Sequence, residues 1–534
     1  MRNRIYRLGM CTLLCFGLGS LPLQAQTLEQ SKRLPKDLDR FIEEVMAQFE
    51  VPGVSVSIVK DGETLLAKGY GVKVHGESDS VDAQTLFNIA SNSKAFTATL
   101  LGILVNEGKL KWNDPVIDHL PWFRMSDPYV TENMTVEDLL VHRSGLGLGA
   151  GDLLQFPPTD YSSREIAKRL RYIPLNTSFR SAYAYDNILY LVAGELVQEV
   201  TGQSWEEAIQ TRIFKPLGMH HSIPNISGLL KTSNFAMPHT LVEGVLQVGK
   251  RFPDIRMGDA SNAAGGISSN ALDMAAWLKF QLDSGRTGDG QRILPPSAMQ
   301  RQWRMVTPMP FSKPAPHLSV LEQSYFGYAL GFRVQDYRSK QIITHTGGLS
   351  GAFYSRVTLL PELGLGISVL TNQGARVAFE AITHYLLDYF MEVQPEFDWL
   401  SAYIKEDQLS KARMAKIESQ QAAQRDSLSK PSLELQDYVG TYRDAWYGDV
   451  IIEKVGEQLR IRFAHTPALI GNLDHWQYDS FVARWDDRSL KCDAFVSFVL
   501  DASGKIVEVK MDKFSPAVDF SRDYHDLRLY PVKE

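Results

Sequence analysis

Cysteine is almost absent. The 534 residues contain three, and Cys11 and Cys15 both fall in an apolar run near the N-terminus, 8–21. Only Cys492 stands beyond that run, so no intramolecular disulfide can form there and stability must come from a packed core. An excess of positive charge is also lacking: 56 Lys and Arg against 62 Asp and Glu give a net charge of −6, which argues against a nucleic-acid partner. No H-E-x-x-H and no G-x-S-x-G occurs, so neither a zincin site nor an α/β-hydrolase elbow is offered. The pair His220-His221 makes no metal site either, because adjacent residues on an extended chain point opposite ways. No metal or cofactor is implied.

What is present begins with a leader. Arg2, Arg4 and Arg7 precede the apolar run, and Leu23-Gln24-Ala25 offers a small residue before a cut. Residues 1–25 read as a secretory signal peptide, too short for a stable membrane span. The expectation is an exported protein, periplasmic or extracellular, with no membrane span once the signal is cleaved; an uncleaved anchor is the alternative. Apolar content of 44% and charged content of 22% are those of an ordinary soluble globular protein. The length accommodates two or more domains.

After the leader, Leu38, Phe41, Ile42, Val45, Met46 and Phe49 recur at helical spacing. Val54-Ser55-Val56-Ser57-Ile58-Val59 alternates strictly and, with the turn Lys60-Asp61-Gly62, predicts a β-hairpin. Thr135-Val136-Glu137-Asp138 has a helix-start pattern continued by 139–142, and Asn270 opens another helix toward Gly285. Stretches 326–334, 342–348, 355–360 and 366–371 predict strands, the last three adjacent and antiparallel, and 379–390 a closing helix. Residues 405–430 are rich in Lys, Glu, Gln, Ala and Ser, and read as an exposed helix or linker. Short strands between turns fill 438–529, which predicts a small antiparallel β domain. The expected division is a main domain at 26–404, a polar connection at 405–432 and the β domain at 433–534.

The chemistry-bearing stretch is Ser91-Asn92-Ser93-Lys94 and the apolar run 95–105 behind it. Apolar residues on every side predict a helix buried all round, with Ser91 in its first turn and Lys94 one turn on, on the same face. A lysine kept neutral by burial can accept a serine proton. S-x-x-K alone is weak, arising by chance roughly once in a few hundred residues, and Ser427-Leu428-Ser429-Lys430 repeats it in a polar segment. Two further groups strengthen it. Tyr185-Asp186-Asn187 offers a phenol that could share a proton with Lys94 and an amide for a substrate carbonyl. His345-Thr346-Gly347-Gly348 ends a strand, with side-chain donors and glycines that would admit a substrate backbone. Taken alone, the tyrosine and histidine are also ordinary packing residues, and His142 reads as structural.

Together Ser91-x-x-Lys94, Tyr185-x-Asn187 and His345-Thr346-Gly347 resemble the motif trio of serine β-lactamases and penicillin-binding proteins, and in particular the group of class C β-lactamases and D-alanyl-D-alanine carboxypeptidases. The resemblance spans roughly 36–395 and includes His142-Arg143-Ser144-Gly145, Pro216-Leu217-Gly218-Met219 and Ala264-Gly265-Gly266. It implies an α/β fold of the α+β type, an antiparallel sheet with flanking helices and a helical lobe with the site between them. A small antiparallel β-barrel-like domain then follows, resembling the appendage of uncharacterised role on many such hydrolases.

The implied activity is acyl-enzyme hydrolysis of a small peptide or amide, with D-residues among the expected substrates. An esterase, a weak β-lactamase or a non-hydrolytic penicillin-binding sensor are the alternatives. Ser91 would attack, and Lys94 with Tyr185 would carry the proton. Asn187, His345, Thr346 and Gly347 would bind substrate, and the N–H groups of Ser91 and Gly348 would hold the oxyanion. His345 stands where lactamases carry lysine; near its ordinary pKa of about 6.5 it would gain charge, and favour a substrate carboxylate, only as pH falls. With every motif in the first domain, removing everything after about Lys405 is expected to leave a folded hydrolase with a changed substrate size preference or oligomeric state, since an appended β domain can overhang a cleft or pair edges.

Ser91→Ala is expected to abolish covalent labelling by a fluorophosphonate or a fluorescent penicillin, and Ser427→Ala to leave it intact, read as label per mole of protein. One-equivalent labelling of Ser91→Ala would remove the assignment.

Overall fold

The computed structural model describes residues 33–249, 257–349 and 351–533; the signal-peptide expectation lies outside them. Helix α1 (Leu38–Gln48) buries Leu38, Ile42, Val45 and Met46, the apolar stripe of its sequence. The hairpin β1 (Gly53–Lys60) and β2 (Glu63–Gly71) forms one edge of an eight-stranded antiparallel sheet. The remaining strands come from much later in the chain: β3 (Thr307–Pro308), β4 (Phe326–Tyr328), β5 (Arg333–Tyr337), β6 (Lys340–Leu349), β7 (Phe353–Leu360) and β8 (Leu365–Thr371), in the order β2-β1-β8-β7-β6-β5-β4-β3. The three predicted adjacent strands are β6, β7 and β8, paired through His345 with Val357 and Val357 with Ser368.

All of β1 is buried, including the serines of its alternating pattern. Its apolar face packs on α1 and on α5 (Arg376–Phe390). Its serine face lies under α4 (Ala271–Leu282), where Ser57 Oγ donates to Ala271 O at 2.6 Å. The Asn270 side chain caps α4 by accepting from Asp273 N.

On that second face the helical lobe is built around α2 (Ser93–Asn106), which is buried from Ser93 to Leu104, as apolar residues on every side require. The Phe96 ring stacks on Trp277 of α4 at 3.7 Å, and Trp205 Nε1 donates to Thr97 Oγ1 at 3.1 Å. Helix α3 (Ile188–Thr201) packs beside it and ends at Gly202 in a left-handed conformation.

Two local expectations are corrected. The helix predicted from Thr135 to His142 is only a turn at Asp138–Leu140, because the Asp138 carboxylate accepts from Thr135 N and ion-pairs with Arg143 and Arg180. The strand predicted at 326–334 is broken into β4 and β5 by a turn at Gly331, whose φ is 75°. A Cβ there would lie 2.7 Å from Lys94 O, so the turn presses directly on the first turn of α2.

Helix α6 (Trp399–Ala423) begins ahead of the predicted polar connection at 405–432, covers its first part and leads to a second eight-stranded antiparallel sheet. Its strands are β9 (Gly440–Asp444), β10 (Gly448–Val455), β11 (Gln458–Phe463), β12 (Thr466–Gln477), β13 (Ser480–Trp485), β14 (Ala494–Leu500), β15 (Ile506–Lys513) and β16 (Tyr530–Pro531). β16 pairs with β9, and Val509 N of β15 donates to Leu529 O at 2.8 Å just before β16, which makes a nearly closed barrel. Buried rings of Tyr438, Phe463, Phe481, Trp485, Phe498 and Tyr524 fill it. This barrel shares one continuous hydrophobic cluster with the helical lobe. Tyr161 stacks on His465 at 4.2 Å, and Arg169 Nη1 donates to Trp446 O at 2.7 Å. The shared cluster argues against a dispensable appendage, because removing the barrel would strip apolar cover from the lobe.

Gly331→Ala is expected to destabilise the protein by about 1–3 kcal/mol, the usual cost of a strained backbone, and to lower turnover by displacing Lys94. Gly290, also at positive φ (86°) but with nothing near its Cβ position, provides the control: Gly290→Ala should cost less in a urea titration.

Candidate active site

The nucleophile turn is held under strain. Ala90, just before Ser91, has φ 45°, an uncommon conformation for a residue with a side chain. It is fixed by Asn88 Oδ1, which accepts from Ala90 N at 2.9 Å. Ser355 of β7 donates to Ile89 O at 2.7 Å and accepts from Asn92 Nδ2 at 2.7 Å, so the sheet clamps the turn from the other side.

Lys94 is fully buried. Its Nζ lies 3.2 Å from Ser91 Oγ, 2.6 Å from Asn187 Oδ1 and 2.8 Å from Ala264 O. The last two are carbonyl oxygens and only accept. A neutral amine must therefore give them its two N–H groups, which leaves the lone pair for the Ser91 O–H. Burial pulls the Lys94 pKa down to about 7, against the nearby carboxylates of Asp152 and Asp186, which favour the charged form.

The Tyr185 phenol lies against the Ser91 hydroxyl, and burial raises its pKa, so it stands as a proton donor. Lys94 Nζ faces the Tyr185 ring, 5.0 Å from its centroid. Beneath that ring lies His142 at 4.2 Å, its Nδ1 accepting from Asp186 N at 3.3 Å. Asn187 is more committed than its sequence context suggests: Oδ1 receives Lys94, and Nδ2 donates to Asp152 Oδ2 at 2.8 Å, leaving one N–H for a substrate.

Ser91, Tyr185, Asn187, Thr346, Gly347 and Gly348 all line one cleft of about 390 Å³, within the usual size of a small-molecule site, roughly 300–1,000 Å³. His345 does not line it. Its ring is fully buried, with Nε2 2.8 Å from the Tyr328 hydroxyl. Burial and the charges of Arg333 and Lys94 hold its pKa well below 6.5. The expected role of His345 as a titrating carboxylate contact is thereby corrected: the ring stays neutral behind the wall. Gly347 also serves differently. A Cβ there would stand 2.1 Å from Ile89 O, so this glycine admits the nucleophile turn rather than a substrate backbone.

Two guanidinium side chains line the cleft, those of Arg376 and Arg333, and Arg333, placed by the Gly331 turn, donates from Nη1 to Thr346 Oγ1 at 3.1 Å. No motif announces it. Among the described residues no group of three or more His, Cys, Asp or Glu is placed to hold a metal ion.

The Beta-lactamase family model matches residues 38–389, a span that contains every motif of this site. The chain belongs to the Beta-lactamase family. It is a serine hydrolase of that family. A second match, to a domain of unknown function (DUF3471), covers 424–531. Similar curated proteins include an unguisins hydrolase, ungD', of Aspergillus campestris, 28% identical over 80% of this chain and 79% of the relative. Protein flp of Staphylococcus aureus is 26% identical over 65% of each. Among solved structures, the octameric penicillin-binding protein homologue from Pyrococcus abyssi matches with TM-score 0.58 at 22% identity, over 92% of this chain and 99% of that one. SurE matches with TM-score 0.53 at 19% identity, over 95% and 100%.

Unlike the motifs of the Beta-lactamase domain, part of the cleft comes from the barrel: Asp519, Phe520 and Ser521 line it. The Phe520 ring meets Tyr185 edge-on at 5.7 Å. No motif marks Asp152 either. It is fully buried, and burial lifts its pKa to about 7. A signal for it exists only in hindsight, as an acidic residue among the glycines of Gly149-Ala150-Gly151-Asp152.

Because Lys94 must be neutral to accept the Ser91 proton and its pKa is near 7, kcat/KM for a small ester should fall as pH drops below about 7 and plateau above it. Lys94→Met should lower the plateau by about 10³-fold or more and abolish that limb, read from initial rates across pH.

Proposed function

We propose that the protein is an exported acyl-enzyme hydrolase of small peptides or amides, with D-residues among its substrates. The observation that carries this reading is the pairing of Ser91 with an amine whose other two contacts are carbonyl acceptors. In the acylation step, Ser91 Oγ attacks the substrate carbonyl and its proton passes to Lys94. The backbone N–H groups of Ser91 and Gly348 receive the developing oxyanion. Tyr185, beside the hydroxyl, delivers a proton to the leaving nitrogen and is restored from Lys94. Water then cleaves the acyl-enzyme by the same groups in reverse order.

Support for a peptide substrate comes from the cleft and from the relatives. Arg333 supplies a planar guanidinium suited to a substrate carboxylate beside Thr346. A solved SurE structure contains D-Leu, and the similar fungal proteins are hydrolases of unguisins. Export rests on the N-terminal leader alone.

Purified full-length protein should turn over members of a panel of D- and L-peptides, amides and esters, with products read by mass spectrometry. A stoichiometric burst without turnover would instead make it a penicillin-binding sensor. For a matched peptide acid and amide, the ratio of kcat/KM should favour the acid and stay flat from about pH 5.5 to 8.5, because His345 is buried behind the cleft wall with its pKa held well below 6.5. Arg333→Ala should reduce that ratio by about tenfold, about 1.4 kcal/mol of lost charge recognition.

A further inference from the structure

Besides the Phe520–Tyr185 ring contact, the barrel reaches the acyl-transfer machinery through a buried hydrogen-bonded cluster. Asp152 Oδ2 accepts from Asn187 Nδ2 at 2.8 Å and from Ser521 Oγ at 2.7 Å. On either side of Asp152, the amides of Gly151 and Leu153 donate to the two oxygens of Asp523, at 2.8 and 2.9 Å. Close approach of the two segments is built in, since a Cβ on Gly149 would stand 2.7 Å from Phe520 O. Ser521, Asp152, Asp523 and Asn187 are all buried. A continuous line of hydrogen bonds thus runs from Ser521 of the barrel through Asp152 and Asn187 to Lys94.

We propose that Ser521 is a positioning residue for the general base: its hydroxyl holds Asp152 in place, Asp152 orients the Asn187 amide, and that amide aims the Lys94 lone pair at Ser91. The inference rests on the acyl-enzyme reading above. It makes the barrel a working part of the hydrolase, with the Asp523 carboxylate clamping the loop on which Asp152 sits.

The alternative is a wall that merely packs, and the two differ in pH behaviour. The charged groups acting on Asp152 are Lys94 from α2, Asp186 from the loop before α3 and Asp523 from the barrel. Lys94 in turn faces Asp152, Asp186 and Arg333, and the rings of His142 and His345 feel its charge. The Ser521 hydroxyl stabilises the ionised form of Asp152. Without it Asp152 holds its proton to higher pH, so Lys94 faces less negative charge and loses its own proton at lower pH.

The test uses full-length protein and a small ester that does not reach Phe520, together with the rate of fluorophosphonate labelling at Ser91. Ser521→Ala should lower kcat by about tenfold, roughly the worth of a hydrogen bond to a charged group, with KM unchanged. Its acid limb should move to lower pH. Asp152→Asn should move the limb the same way, and Ser521→Thr, which keeps the hydroxyl, should restore both. Unchanged kcat and limb in Ser521→Ala, an effect confined to KM, or Ser521→Thr behaving as Ser521→Ala would each overturn the inference. Absence of labelling in the wild type would overturn the hydrolase reading itself, and this inference with it.

Discussion

Everything in this molecule that bears on chemistry depends on keeping one amine dry. Lys94 emerges from a helix buried on every side, and its Nζ ends among Ser91, Asn187 and Ala264 O. In water the amine would be protonated and inert as a base at neutral pH. Burial disfavours the charge, while the two carbonyl acceptors absorb its N–H groups and leave the lone pair one direction to face.

Holding that arrangement requires contributions from distant parts of the chain. The sheet clamps the nucleophile turn through Ser355, and the Gly331 turn presses on the backbone at Lys94. α4 supports α2 through the Phe96–Trp277 stack. Each contact is ordinary in size, an aromatic pair being worth about 0.5–1.5 kcal/mol beyond its buried area. Their convergence on one turn allows Ala90 to remain at φ 45°.

The barrel changes how the two parts of the chain relate. Its interior is packed with its own aromatic rings, so it offers a surface rather than a chamber. That surface supplies Asp519, Phe520 and Ser521 to the cleft and apolar cover to the helical lobe. Cleft shape is therefore a property of both parts together.

Much of this was legible in the residues themselves. The buried helix behind Ser91, the three adjacent strands, the small β domain and the motif trio are local patterns, and local patterns survive in a one-dimensional string because periodicity reflects which face is buried. His345, Arg333, Asp152 and Ser521 were not legible in that way. A histidine at a strand end looks the same whether it faces a cleft or lies behind its wall, and only the packing of Tyr328 against it decides. Arg333 enters the cleft because a turn forced by contact with α2 breaks the expected strand. Asp152 and Ser521 are 369 residues apart, and no spacing rule links them. The sequence by itself determined which residues could do chemistry and which elements would carry them. Tertiary structure alone decided which side chains lost their water, and loss of water is what lowers the pKa of Lys94 and sets a serine of the barrel against a buried Asp152.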